Sequence, residues 1–436
     1  MKKTIFAIMV LLMAPALLYA QSINNTLGEG GTFSIKDGST TFLTLSQSDG
    51  YLDVNNSLTL PATTSSSLGV IFKGADRFIH NYTASGTLGK NTFVGFNAGN
   101  FSMSMNVNAW DASYNTGVGY STLTSLTTGY FNSAFGSSSL RSNSTGIQNT
   151  AFGYNSLQGN TSGENNTVMG AAAGYSITTS PRNTAVGSFA LFSNTENGEN
   201  TIMGDHAGYN LTGGSNTAIG LQSLFSATGS NNTAVGWSAG YSITAGTNNT
   251  CIGYQADASS ATATNEITLG NSSVTTLRCN QPTITSLSDA RDKRNIRDLS
   301  LGLEFLMSVK PRLYNWDRRD WYTNGKPDGS KMQTAPTAGF IAQELDEVQK
   351  KENAEWLNLV LKNNPDKFEA TPGNLLPIMV KAIQELKTEN DALKKEVGTL
   401  RASIIEQVKK EVKAALLKAV QQEDAPTKVS LNDTKN

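Results

Sequence analysis

Two cysteines and two histidines in 436 residues leave little material for metal or disulfide chemistry. Cys251 and Cys279 are too few for a disulfide framework in so long a chain, and their spacing is not that of a zinc site. Three fates stay open for them: pairing with each other, pairing between copies, or standing as small buried thiols. His80 and His206 lie far apart without a motif around them and read as surface or turn residues. No metal or cofactor is called for. Charge is scarce too: Asp, Glu, Lys and Arg make up 16% of the chain, the formal net charge is -1 and no long basic run occurs, which excludes a duplex nucleic-acid partner. The charges are also unevenly placed. From Gln21 to Gln281 Gly, Ser, Thr and Asn dominate, whereas from Asp289 onward charged residues are dense, and such a step marks a domain boundary. The sparse region offers no recognisable carboxylate pair, which argues against a glycan-hydrolysing spike.

Long apolar runs are missing except at the start. Lys2 and Lys3, the apolar stretch Ile5 to Leu12 and the small-residue end at Ala20 predict an export signal over residues 1–20. Pro15 interrupts the run, so a membrane anchor is disfavoured. The mature chain is then expected outside the cytoplasm, secreted or at the cell surface or outer envelope, with no membrane span. Residues 21–90 show no repeat; short alternating runs such as TFSI predict an irregular β segment.

What is abundant is a repeated phrase. NTFVG at Asn91, NTGVG at Asn115, NSAFG at Asn132, NTAFG at Asn149 and six further copies down to NTCIG at Asn249 precede a degenerate NEITLG at Asn265. From Asn115 onward the copies are spaced by 16 or 17 residues. This period is too short for a helical pair and fits one coil of a parallel β-solenoid, two strands of about five residues with two turns. Stacked about 4.8 Å apart, the coils over 91–281 would make a rod on the order of 50 Å long. The apolar fourth position (Val94, Phe152, Met203) reads as an inward slot, and the following glycine as a tight turn. The small third position, often Ala and once Cys251, reads as a face packed against a neighbouring copy, which would bring Cys251 residues of different chains together. A further position alternates between AG (Ala173, Gly174) and SL (Ser156, Leu157), suggesting a double coil. The phrase resembles the head repeats of trimeric autotransporter adhesins, and that resemblance implies parallel β-rolls packed as trimers.

Beyond the rod three blocks follow in order: SLSDARDKRNIRDLSLGLEFLMSVKPRLYNWD, GFIAQELDEV from Gly339 and NLLPIMVKAIQELKTEN from Asn374. Together they resemble the peptidase S74 family, the intramolecular chaperone domains that end phage tail spikes, over residues 286–387. The resemblance implies a small α+β domain and a Ser-Lys dyad, Ser288 and Lys293, supported by Asp289, that cuts the Leu287–Ser288 bond after a homotrimer has formed. A serine hydroxyl needs a base at neutral pH, and a lysine serves only when burial or nearby cations favour its neutral form. Arg291 and Arg294 are candidates for that cationic pressure. Phe340, Ile341 and Leu345 are expected in the core, with Gln343 and Glu344 on a helix face packing within the module. From Leu376 to about 420, Met379, Ile383, Leu386, Asn390, Leu393, Val397, Leu400 and Ile404 form a coiled-coil seam that slips by one residue near Ile405. Residues 421–436 are polar and expected to be disordered. The expected whole is a mainly β trimer: a solenoid of 16–17-residue coils, the small α+β domain and a C-terminal helix. It acts either as a self-cleaving surface fibre or as a non-cleaving adhesin or stalk that binds a glycan or a cell-surface protein.

Overall fold

A computed structural model describes residues 32–37, 40–46, 52–54, 58–280 and 286–423. Residues 1–20, where the export signal is expected, and the polar tail beyond Glu423 lie outside the described residues. Near the N-terminus β1 (Thr32–Asp37), β2 (Thr40–Ser46) and β3 (Leu52–Val54) form an antiparallel sheet. A 13-stranded sheet follows. A hairpin of β4 (Ile71–Lys73) and β5 (Asp76–His80) closes one edge of it, with β5 antiparallel to β6 (Thr92–Val94). From β6 every three-residue strand pairs in parallel with the next, ending at β16 (Ile267–Leu269). Each coil therefore carries one short strand and a series of hydrogen-bonded turns, not two strands of five residues. The last copy begins at Glu266, because Thr250 pairs with Ile267; the seventeen-residue period is kept and Glu266 takes the place of the phrase asparagine.

The inside and outside of the coil are the reverse of the sequence expectation. Along β9 (Thr150–Phe152) Ala151 is fully buried, while Phe152 is 56% exposed. The third position lies in the chain's own core throughout: Phe93, Ala134, Val168, Ala185, Ile202 and Ala218 are all 0% exposed. The fourth position points out. The reason is volume, since alternate residues of a strand face opposite sides and a coil this narrow admits one modest side chain from each strand. Cys251 accordingly lies in the core at 1% exposure, unpaired, with its thiol pushed up to about 12 by burial and by the charges of Asp257 and Glu266. It cannot join chains, and Cys279 is a free, exposed thiol.

The same limit explains the AG and SL alternation. Where the third position is Ala, the residue six places on is a buried leucine: Ala134 with Leu140, Ala151 with Leu157, Ala185 with Leu191, Ala218 with Leu224. Where it is large, that place is glycine: Phe93 with Gly99, Val168 with Gly174, Ile202 with Gly208. A Cβ on Gly99 would stand 2.6 Å from the Phe93 ring. Ala234 with Gly240 is the exception, and there Leu224 of the preceding coil fills the space, its Cδ2 lying 2.7 Å from where a Cβ on Gly240 would stand. Core volume is thus traded within a coil.

A polar ladder runs beside this core. The phrase asparagines Asn115, Asn132, Asn149, Asn166, Asn183, Asn200 and Asn216 are 0% exposed. Asn149 donates its backbone N–H to Asn132 Oδ1 at 3.1 Å and its Nδ2 to Asn132 Oδ1 at 3.2 Å and to Gly163 O at 2.8 Å. Each buried amide is satisfied by the coils on either side, which makes the stacking cooperative. The glycine after the fourth position is obligatory: Gly153 has φ +134°, and a Cβ there would lie 2.5 Å from Gly170 O of the next coil. His80, far from being a surface residue, is 4% exposed between the Phe93 and Phe101 rings and bonds to Ala98 O at 2.8 Å. Burial holds its imidazole down at about 4. His206 sits in a turn beside Asp205.

The C-terminal module collects the three sequence blocks around one small core. α1 (Leu303–Ser308) and α2 (Ala342–Lys351) come from the first two blocks and the start of α3 (Leu376–Glu423) from the third; Phe305, Leu345, Leu375 and Ile378 meet there. Strands β17 (Arg312–Tyr314) and β18 (Thr337–Gly339) pair antiparallel, so the polar insertion between the first two blocks is the loop of a hairpin. A two-stranded ribbon of β19 (Val360–Leu361) and β20 (Glu369–Ala370) completes the module. Leu345 is buried as expected and Phe340 packs at the core's edge, whereas Ile341 is the residue before α2 and 36% exposed. Gln343 is exposed, while Glu344 pairs with Arg312 at 2.5 Å, a contact that holds its carboxyl below the usual range. Among the described residues no helix is long and apolar enough to cross a membrane.

Candidate cleavage site

The chain leaves the rod and returns to regular structure at a single 3-10 turn, Ala290–Asp292. Asp289 stands at its start, accepting the Arg291 N–H at Oδ1 over 2.8 Å, and Lys293 closes it by donating its N–H to Ala290 O. Because the turn reverses the chain between positions 288 and 293, it brings the two predicted residues into contact. Lys293 Nζ donates to Ser288 Oγ, and to the Ser288 carbonyl oxygen at 3.3 Å. Leu287, on the other side of the candidate bond, is fully exposed.

The cations flanking the lysine are otherwise engaged. Arg291 forks onto Asp289, with Nε 3.1 Å from Oδ1 and Nη2 2.6 Å from Oδ2, and these bonds hold the Asp289 carboxyl below its ordinary value. Arg294 turns back onto the carbonyls of Arg291 and Lys293 at 2.9 and 3.0 Å. The cationic pressure expected from these arginines is therefore not what the turn displays. Asp289 fixes the turn by accepting the Arg291 N–H. Ser288, Asp289 and Lys293 are all exposed in the single chain.

Residues 288–353 match the peptidase S74 family, chaperone of endosialidase. The matched stretch contains Ser288, Lys293, α1, the β17–β18 hairpin and α2; the third block lies beyond it but shares its core. No curated protein and no solved structure matches the chain.

Several residues that organise the S74 module were missed. Glu385 of α3 caps α1, its Oε2 accepting the Leu303 N–H at 2.7 Å. Asp346, buried in α2, is bound by Lys350 at 2.7 Å, by Lys362 and by Gln349; burial pushes its carboxyl up, but these partners prevail and hold it at about 2. Glu266 ends the asparagine ladder: its carboxylate accepts from Ser259 N and Oγ, and from Asn363 Nδ2 of the module at 3.1 Å. With Asn364 Nδ2 on Ser259 O at 3.0 Å, it joins rod to module. The departure from Asn at the seventeenth residue was the legible signal. No cluster suited to a metal ion occurs among the described residues.

Proposed function

We propose that this protein is an exported fibre of three parallel chains, aligned by the S74 module and then cut between Leu287 and Ser288. The observation that carries the reading is the Lys293 ammonium seated on the Ser288 hydroxyl inside a segment matching the chaperone of endosialidase. Two further features support three chains. The apolar seam residues of α3, among them Ile383, Leu393 and Leu400, are 44–64% exposed in the single chain, and domains of this family are tied to trimer assembly.

The chemistry needs only this chain's atoms and one water. With Lys293 as the neutral amine, Nζ takes the Ser288 hydroxyl proton and Oγ attacks the Leu287 carbonyl carbon. The amide C–N bond breaks as Nζ returns the proton to the leaving nitrogen. Water then hydrolyses the ester, leaving a Leu287 carboxylate and a chain beginning at Ser288. Ser288 and Lys293 are both exposed in the single chain, so neighbouring copies supply the desolvation and cutting follows assembly. Purified protein is expected to contain a fragment whose first residue is Ser288, abolished in Ser288→Ala and in Lys293→Ala. An uncut wild-type chain removes the autoproteolytic reading. It would leave the second one, an adhesin or stalk binding a glycan or surface protein, which the open setting of Lys293 favours.

A further inference from the structure

The inverted orientation of the strands leaves a surface to be explained. Fourth-position side chains point outward, and so do those two places further on, across the obligatory glycine. In the ten coils from Val94 to Tyr254 these two positions hold one charged residue, Asp205. The rest are aliphatic, aromatic or small. Phe152 is 56% exposed, Met169 45%, Met203 46%, Trp237 41% and Tyr254 59%. Phe135 stacks on Phe152 and Trp237 on Tyr254, at ring distances of 5.7 and 5.0 Å, so the stripe is continuous along the sheet. Elsewhere on the coils a second row of rings, Tyr175, Phe192, Tyr209, Phe225 and Tyr241, stacks upon itself at 5.0–5.4 Å and is for the most part half-buried, and the remaining outward residues are mainly Thr, Ser and Asn, with charges such as Glu164, Arg182 and Glu199.

We infer that this stripe is the face by which the rods of separate copies of this chain pack together, parallel and in register. The inference rests on the three-chain reading above and assigns its interface. An exposed apolar band of this length on a sheet calls for a cover. The occupant must present apolar groups at the same rise over ten coils, which a second copy does by construction and a compact partner does not. The α3 seam, apolar and uncovered in the same chain, asks for the same kind of partner. The third position, buried inside each coil, is unavailable for the task.

The test uses the full-length protein with a photo-crosslinking residue in place of Met203 or, as control, of exposed Ser162, alongside the native mass of each. A three-chain mass with crosslinked chains from position 203 and none from 162 is the expected result. A three-chain mass with no crosslinks from 203, or with equal crosslinking from both, overturns the stripe and leaves the trimer standing. A single-chain mass overturns both. The triple variant Met169→Asp, Met203→Asp, Ile219→Asp, with substitutions confined to outward positions and made together with Ser288→Ala so that α3 stays on the rod, should lose protease resistance in the rod while α3 keeps three chains together. Unchanged resistance counts against the stripe.

Discussion

The rod and the S74 module bury their groups by different rules. In the rod each coil supplies a few side chains and one ladder asparagine, and the ladder asparagines are completed by the coils above and below. In the module, residues from blocks far apart in sequence converge, as Phe305, Leu345 and Ile378 do. A solenoid of this kind is satisfied only as a stack, and its ends are where it is vulnerable. The hairpin β4–β5 closes one end, and Glu266, with Asn363 and Asn364, hands the other to the module.

Breaking the ladder should have the largest effect. Asn166→Leu removes bonds to the coils on both sides and strands buried partners, costing roughly 3–5 kcal/mol of rod stability; thermal unfolding followed by circular dichroism should show the loss in the β signal. Next comes the volume trade. Val168→Ala alone leaves a cavity and Gly174→Leu alone overfills the coil, each costing about 1–3 kcal/mol, while the double variant recreates the Ala–Leu pair of the adjacent coils and should recover part of the loss. Additive losses would show that the pairing is coincidental. The pair is testable because Leu157 and Leu191 occupy the equivalent place at φ 50° and 53°, close to the 57° of Gly174.

In the module, Asp346→Ala frees two lysines from a buried carboxylate and should cost roughly 1–3 kcal/mol without touching the rod. The two regions should also respond to acid in different windows. His80 takes a proton near 6.5 when unfolded and only at about 4 when folded, so the unfolded chain binds more protons between those values. The rod's N-terminal cap therefore loses stability as pH falls from about 6.5 to 4. Asp346 behaves otherwise: its contribution is intact above its ordinary value of 3.8 and is lost as pH falls from there through about 2. Hydrogen exchange at pH 7 and pH 4.5 should show the cap opening while α2 stays protected; His80→Gln should remove much of the difference. The smallest expected effect is Glu385→Ala, which uncaps α1 at a cost of about 1 kcal/mol.

The period of the rod was legible because each coil must return a strand and a turn to the same place. Which strand residue faces in was not, since both the third and the fourth positions are apolar and only the tightness of the coil decides between them. The resulting error carried Cys251 with it. His80 was illegible for another reason: the two rings that enclose it come from residues 93 and 101, which the antiparallel pairing of β5 with β6 brings beside the imidazole. Ser288 and Lys293 were singled out through the three blocks; their spacing alone would have said nothing. The turn that joins them depends on Asp289, whose arginine partner had been given a different task.

Native mass spectrometry of the purified wild-type protein reports both assembly and scission in one spectrum. The expected spectrum shows a particle of three chains ending at Leu287, with a separate or still-associated C-terminal fragment that begins at Ser288. An intact, single, full-length chain as the sole species would contradict it.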